Sequence, residues 1–241
     1  MKLAAQIRNT IEAIPESQPF GYADLGIEPG NFFTAAKALE RMQKKGTIKK
    51  ISKGVFYIPR KTVFGTLGPD TNSILERYLF EKGKRVAYET GFSLYNQLSL
   101  TTQMAFKIKV ASQNKRIKIN QGALQVSSVK SYVEVTDKNY RLLGYLDAIK
   151  DIRRIPDSPT LQAIKRMSWL IKELDTKQQK ELVKLALFYP ARAKALLGAI
   201  MENLKININL NELKSSINPL TKINLFIKEN DLPTIKNWNI E

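Results

Sequence analysis

At the start of the chain, apolar positions recur at helical spacing. Leu3, Ile7, Ile11 and Ile14 fall on one side of a helix predicted over residues 2–14 and closed by Pro15. The segment YADLG, 22–26, fits a short second helix ending at Gly26. EPG at 28–30 makes a turn, the Asn31 side chain is placed to cap the next helix, and residues 32–45 then run without a breaker to Gly46. On this third helix Phe33, Ala36, Leu39 or Glu40, and Met42 or Gln43 bracket the inward side, with Phe32 and Leu39 as anchors. Thr34, Lys37 and Arg41, spaced i, i+3 and i+7, share an outward face. Two β-prone runs follow at 48–51 and 55–58. Ser52, Lys53 and Gly54 separate them as a three-residue loop whose glycine suits a positive φ.

Helix, short helix, long helix and hairpin is the element order of a winged helix-turn-helix, predicted here for residues 1–60. KTVFGTLGPDTNS, 61–73, is rich in turn formers and reads as a linker. The remainder, 74–241, opens with a helical pattern over 74–82 and a short helix at 92–98. β-prone runs then stand at 104–111 and 115–119, followed by the strand-like LQVSSV and YVEVT. From about residue 138 the pattern is helical. Leu142, Leu143, Leu146 and Ile149 line one helix, Ser158 and Pro159 cap and start another, and Thr176 with Gln179 resembles a capping box ahead of Leu182, Leu185 and Phe188. Pro190 opens the last long helix. The expected class is α+β: a winged domain, then a mixed domain of antiparallel sheet with flanking helices, sheet-rich to about 137 and helical after it.

Charge sharpens this picture. The formal net charge is +17, and from Lys37 to Arg60 eight basic residues face a single acid, Glu40. Such a field favours polyanions, nucleic acid first. On the predicted third helix Asn31, Thr34 and Lys37 suit base edges, whereas Arg41, Lys45, Lys49, Lys50, Lys53 and Arg60 suit phosphates. Phe56 and Tyr57 alternate on the hairpin, so one packs on the core. The chain has no histidine and no cysteine, which removes the commonest general base, thiolate chemistry and the usual zinc ligands. Carboxylate pairs such as Glu134 with Asp137 and Glu173 with Asp175 show no catalytic spacing. GTLGPD and GKRV lack the pattern of a phosphate-binding loop and read as turns. No cofactor, metal or catalytic residue is expected. Apolar runs are too short for a membrane span, and the first residues lack a signal-peptide core, so a cytoplasmic location is expected.

The stretches ALERMQKKGTIKKISKGVFYIPR, GFSLYNQLSLTTQ, YPARAKALLGAIME and SINPLTKINLFIKENDLPTIKNWNI together resemble the AbiE-type antitoxins. These belong to bacterial type IV, abortive-infection toxin-antitoxin systems, and the resemblance covers most of the chain. It implies a non-enzymatic protein that represses its own operon at inverted repeats on double-stranded DNA. It also implies neutralisation of a nucleotidyltransferase-like toxin, commonly without a stable complex. The family's reading helix maps onto residues 31–41 and its wing onto 49–60. The alternative from the residues alone is a stand-alone winged-helix regulator whose C-terminal domain binds an effector or dimerises. An enzyme acting on nucleic acid is disfavoured by the missing histidine and cysteine.

Overall fold

The computed structural model describes residues 3–241 apart from 64, 70, 122 and 123. Lys2 of the first expected helix, and Phe64 and Asp70 of the expected linker, lie outside the described residues. The chain is α+β and divides into two compact units, Met1–Tyr78 with Ile119–Gln125, and Leu79–Lys118 with Val126–Glu241.

In the first unit the expected stripe buries Ile7 and Ile11 of α1 (Leu3–Glu12) in a core shared with Ala35 and Leu39 of α2 (Phe32–Lys44). Strands β1 (Pro19–Gly21), β2 (Lys49–Ser52) and β3 (Val55–Tyr57) form an antiparallel sheet in the order β1-β3-β2. Phe20 and Phe56, ring centroids 6.1 Å apart, close the core from the sheet side. Two expectations change here. Residues 22–26 make turns, not a helix, because the Asp24 carboxylate accepts the Gly21 N–H at 2.6 Å and Gly26 takes φ +62°. The chain therefore folds back before a second helical turn can form. On α2 the inward stripe is Ala35 and Leu39 with Ala38 and Met42 beside them; Leu39 and Met42 are inward as predicted, while Ala35 and Ala38 take the places expected of Phe33 and Ala36, and Phe32 is 43% exposed. The small Ala35 packs inward, and Phe33 is left 73% exposed.

The expected linker is not an open connection. β4 (Arg60–Thr62) pairs antiparallel with β5 (Gly65–Leu67), and α3 (Thr71–Leu79) begins within it, burying Ile74 and Leu75. The turn residues read in this stretch serve a hairpin: Gly65 sits at φ +117°, and the Thr62 hydroxyl donates to the Gly65 carbonyl at 2.8 Å.

The second unit starts with a small hairpin of β6 (Phe80–Glu81) and β7 (Lys84–Arg85). β8 (Ala87–Thr90) pairs antiparallel with β9 (Lys107–Ser112), with α4 (Phe92–Gln97) connecting them. β10 (Ile119–Gln121) belongs to the first unit and lies beside β2. β11 (Leu124–Lys130) neighbours β9. The segment YVEVT is not a strand. Ser131 donates to the Val133 carbonyl at 2.8 Å, and the Asn139 side chain bridges the Glu134 carbonyl and the Thr136 N–H, so local bonds replace a ladder. Helices α5 (Tyr140–Lys150), α6 (Thr160–Lys172), α7 (Thr176–Ala186), α8 (Ala191–Asn203) and α9 (Asn211–Ser215) follow. The capping box at α7 is Asp175 with Gln178, one residue earlier than predicted, where a carboxylate meets the positive end of the helix dipole. The N-cap of α6 is Pro159, with no side-chain cap, and Phe188 lies beyond the end of α7 and is exposed. Gly198 of α8 is obligatory, since a Cβ there would lie 2.3 Å from the buried Trp238 ring.

Helix α5 is buried on nearly every side from Leu142 to Ile149, and that span includes Asp147. Its carboxylate accepts from the Tyr88 hydroxyl at 2.9 Å, the Thr90 hydroxyl at 2.7 Å and the Lys150 ammonium at 2.9 Å. Burial raises the Tyr88 and Tyr189 hydroxyls above the ordinary tyrosine range, and the Asp147 charge raises them further. Tyr95 is raised by burial and then by Asp151. Burial alone would lower Lys150, but Asp147 outweighs it and the ammonium is held above its usual value. All four groups hold their protons more tightly folded than unfolded. The stability they confer is therefore complete below about pH 10, the unfolded tyrosine value, and is lost as pH rises above it. Melting temperatures followed from pH 7 to 11 should hold steady and then fall above about pH 10. Asp147→Asn removes the nearer of the two carboxylates at Lys150, leaving only Asp151 at 3.9 Å, and should cost about 3 kcal/mol at neutral pH, with a shallower alkaline decline; a variant as stable as the parent would refute the role assigned to Asp147.

Candidate nucleic-acid interface

Helix α2 and the β2–β3 hairpin carry the densest charge, and local rules shape both. The helix ends in a Schellman arrangement: the Thr47 N–H donates to the Met42 carbonyl at 3.0 Å and the Gly46 N–H to Gln43 at 2.9 Å, with Gly46 at φ +73°. This reversal buries Ile48 and starts β2. The hairpin turn is tighter than predicted. Ser52 pairs with Val55, so only Lys53 and Gly54 form the loop, with Gly54 at φ +76°, and a register shift between Lys50 and Ser52 absorbs the extra residue.

The hairpin is tied down at its turn end. A Cβ at Gly21 would lie 2.9 Å from the Gly54 carbonyl and 3.1 Å from Arg77, so only glycine permits this approach of β1 to the turn. Arg77, from α3, donates to the Asp24 carboxylate at 2.6 Å and to the Pro19 carbonyl at 3.2 Å. The next residue, Tyr78, shares a 2.6 Å hydrogen bond with the Ser52 hydroxyl. Burial would raise the Asp24 carboxyl, but the hydrogen bonds from Arg77 and the Gly21 N–H hold it below its ordinary value.

Thr34, Lys37 and Arg41 are exposed on α2, Lys45 follows its end, and Lys49, Lys50 and Lys53 are exposed along β2 and its turn. Lys44 is paired with Glu40 at 3.0 Å, and that lysine holds the Glu40 carboxyl below its usual range. Asn31 is exposed at the N-cap position but its side chain caps nothing. A short 3-10 turn, Pro29–Asn31, leads straight into the helix and holds Asn31 at φ −101° and ψ 0°, away from the extended shape a capping side chain needs. Arg60 is exposed on β4, in a different hairpin from the other cations. Phe56 and Tyr57 are both buried, where alternation predicts only one; β3 is the central strand of its sheet, and burial also raises the Tyr57 hydroxyl. Sequence reasoning places Phe33 inward, yet its ring lies on the surface with the Lys37 ammonium 4.4 Å from its centroid. The i, i+4 spacing to a lysine on the charged face was the available signal.

Among the described residues no cluster of acidic side chains could hold a metal ion, and no helix is long and apolar enough to cross a membrane. Fold and surface thus define an α+β protein with a basic helix and basic hairpin on its N-terminal unit. The chain belongs to DUF6088, a family of unknown function, whose model matches residues 6–178. Its fold is similar to that in the crystal structure of RV2827C protein from Mycobacterium tuberculosis, at 12% identity and a TM-score of 0.53, over 92% of this chain and 84% of that one. No curated protein matches the chain.

Arg77→Ala removes the ties to Asp24 and Pro19. Because Asp24 is partly exposed and solvent screens the pair, the expected loss is about 1 kcal/mol at neutral pH. Asp24 has a depressed pKa, so the tie is present above the ordinary carboxylate value and disappears as pH falls through the lower, folded one. Urea unfolding of parent and variant should differ at pH 7 and converge in acid; a constant difference at all pH values would show that Arg77 acts through something other than the Asp24 charge.

Proposed function

We propose that residues 1–60 act as a winged helix-turn-helix that binds double-stranded DNA, with α2 as the reading helix and the β2–β3 hairpin as the wing. Asn31, Thr34 and Lys37 meet base edges. Arg41, Lys45, Lys49, Lys50, Lys53 and, from β4, Arg60 meet phosphates. Phe33 adds an apolar surface beside Lys37, of the kind that contacts a thymine methyl. One observation carries the proposal: the cations from Lys37 to Lys53 are exposed on α2, its end and the β2–β3 hairpin, and the single acid among them is engaged by Lys44. The chain then serves as the antitoxin of a type IV abortive-infection system, a cytoplasmic, non-enzymatic protein that represses its own operon at inverted repeats. Residues 74–241 counter a nucleotidyltransferase-like toxin without a stable complex. The resemblance of the sequence to AbiE-type antitoxins supports this part.

Gel shifts with DNA from the upstream region of the gene should show binding that weakens steeply with salt, as counterions released from phosphates require. Lys53→Ala should weaken binding to all sequences alike. Asn31→Ala or Lys37→Ala should cost about 1–3 kcal/mol of discrimination at one base position. Absence of binding at low salt, or a Lys37→Ala variant weakened equally on every sequence, would overturn the assignment.

Co-expression with a neighbouring nucleotidyltransferase-like gene tests the antitoxin role. Residues 61–78 and 119–125 belong to the first unit, so the full chain carrying Lys37→Ala and Lys53→Ala is preferable to a truncation. Growth should be rescued by both the parent and this variant. Failure of the parent to rescue would favour a stand-alone regulator.

A further inference from the structure

The second unit contains a cleft of about 660 Å³, formed by the end of α5, the 3-10 turn Ile152–Arg154, the start of α8 and the segment 221–225. That volume lies within the roughly 300–1,000 Å³ of small-molecule sites. Five cations line it, Lys150, Arg153, Arg154, Arg192 and Lys222, against one acid, Asp151. Two of the five are neutralised: Lys150 by Asp147 at 2.9 Å and, at 3.9 Å, by Asp151, and Lys222 by Glu241 at 2.8 Å. Arg154, Arg192 and Lys150 then share a single carboxylate, Asp151, whose Oδ2 also accepts from the Tyr95 hydroxyl at 3.0 Å, while Arg153 lies apart from it.

These arginines have donors to offer. Arg192 approaches Asp151 only to 3.7 Å and Arg154 only to 4.0 Å, both outside hydrogen-bond reach. The Arg192 Nε is buried with no protein hydrogen-bond partner. Arg192 also stands in the first turn of the thirteen-residue α8, where the helix dipole favours an anion. Arg153 gives one N–H to the Asn224 carbonyl at 2.9 Å and lies 4.1 Å from the centre of the Phe226 ring. Phe226 itself is held at φ +53°, in the left-handed region that bulky side chains rarely enter, and is 73% exposed. A strained backbone thus presents an aromatic face beside a cationic cleft.

We propose that this cleft binds a mononucleotide. Arg154 and Arg192 hold its phosphates through bidentate, charge-assisted hydrogen bonds, and the Phe226 ring beside Arg153 stacks on its base. The cations line one concavity; a nucleic-acid strand would call for a row of them along a groove. The site is independent of DNA binding by the first unit.

The test is equilibrium dialysis of the full chain, at about physiological salt to suppress loose binding, with adenosine 5′-diphosphate, adenosine, inorganic phosphate and a single-stranded oligonucleotide. The diphosphate should bind one to one, and at least tenfold more tightly than adenosine or phosphate. Arg154→Ala, at a largely exposed side chain, and Arg192→Ala should each weaken it at least tenfold. Phe226→Ala should weaken the diphosphate while leaving phosphate binding unchanged. Lys177→Ala, which removes an exposed charge from α7, should have no effect. Nucleotide affinity untouched by the arginine variants would overturn the proposal. So would binding of the oligonucleotide alone, or of phosphate as tightly as the nucleotide.

Discussion

A buried carboxylate organises the larger unit. Asp147 sits on a helix whose neighbouring positions are apolar and enclosed, where an unpaired charge would be costly. Its three partners come from two places: Tyr88 and Thr90 from β8, and Lys150 from the next turn of α5. The carboxylate therefore fixes β8 against α5 as well as satisfying itself. Apolar burial supplies the bulk of the driving force for this core, but apolar contacts alone do not specify which strand residue faces which helical turn. A hydrogen-bonded charge does. Lys150 links it to the cleft beside it, since its ammonium faces Asp147 at 2.9 Å and Asp151 at 3.9 Å.

The smaller unit solves a similar problem at its surface. A two-stranded hairpin is marginal on its own, and one carrying lysines at its turn and along β2 is also subject to self-repulsion. Here it gains a third strand, β1, on the far side of β3, and two tethers from α3: Arg77 to Asp24 and Pro19, and Tyr78 to Ser52. The tethers act on the turn side of the sheet, where Gly21 passes close to Gly54. Charge at the hairpin tip is thus presented on a braced support, which lowers the ordering cost of any contact it makes.

Periodicity carried much of this into the sequence. The stripe Ile7 and Ile11, the end of α2 at Gly46, the short helix from Phe92 and the helical stretch after residue 138 were all legible, because each rests on interactions within one or two turns. The misses have a common cause in competition between local options. Asp24 could start a helical turn or accept a backbone N–H in a tight one, and its partner Arg77, far along the chain, decides for the latter. YVEVT has strand composition, but Ser131 and Asn139 hold its backbone by side-chain bonds. Aromatic residues usually pack in the core, but Phe33 is exposed and the inward position goes to Ala35, two residues on. The second cationic site was not legible at all, since Arg153, Arg192 and the segment 221–225 meet only through the fold.

Comparing the two charged sites separates two uses of arginine and lysine that net charge alone merges. In the first unit exposed lysines are spread along a helix and a hairpin, an arrangement that suits many weak, salt-sensitive contacts to a repeating polyanion. In the second, arginines predominate around a concavity with an aromatic neighbour, Arg153 and Arg154 exposed and Arg192 half-buried. Planar guanidinium groups in such a setting favour a directed hydrogen-bond pattern over a diffuse field. A chain of charge +17 could be basic merely to stay soluble. Solubility alone, however, requires neither a Phe226 forced to positive φ beside Arg153 nor an Arg192 Nε buried without a partner. These two costs fall at one place in the fold, and a ligand able to engage both groups would offset them.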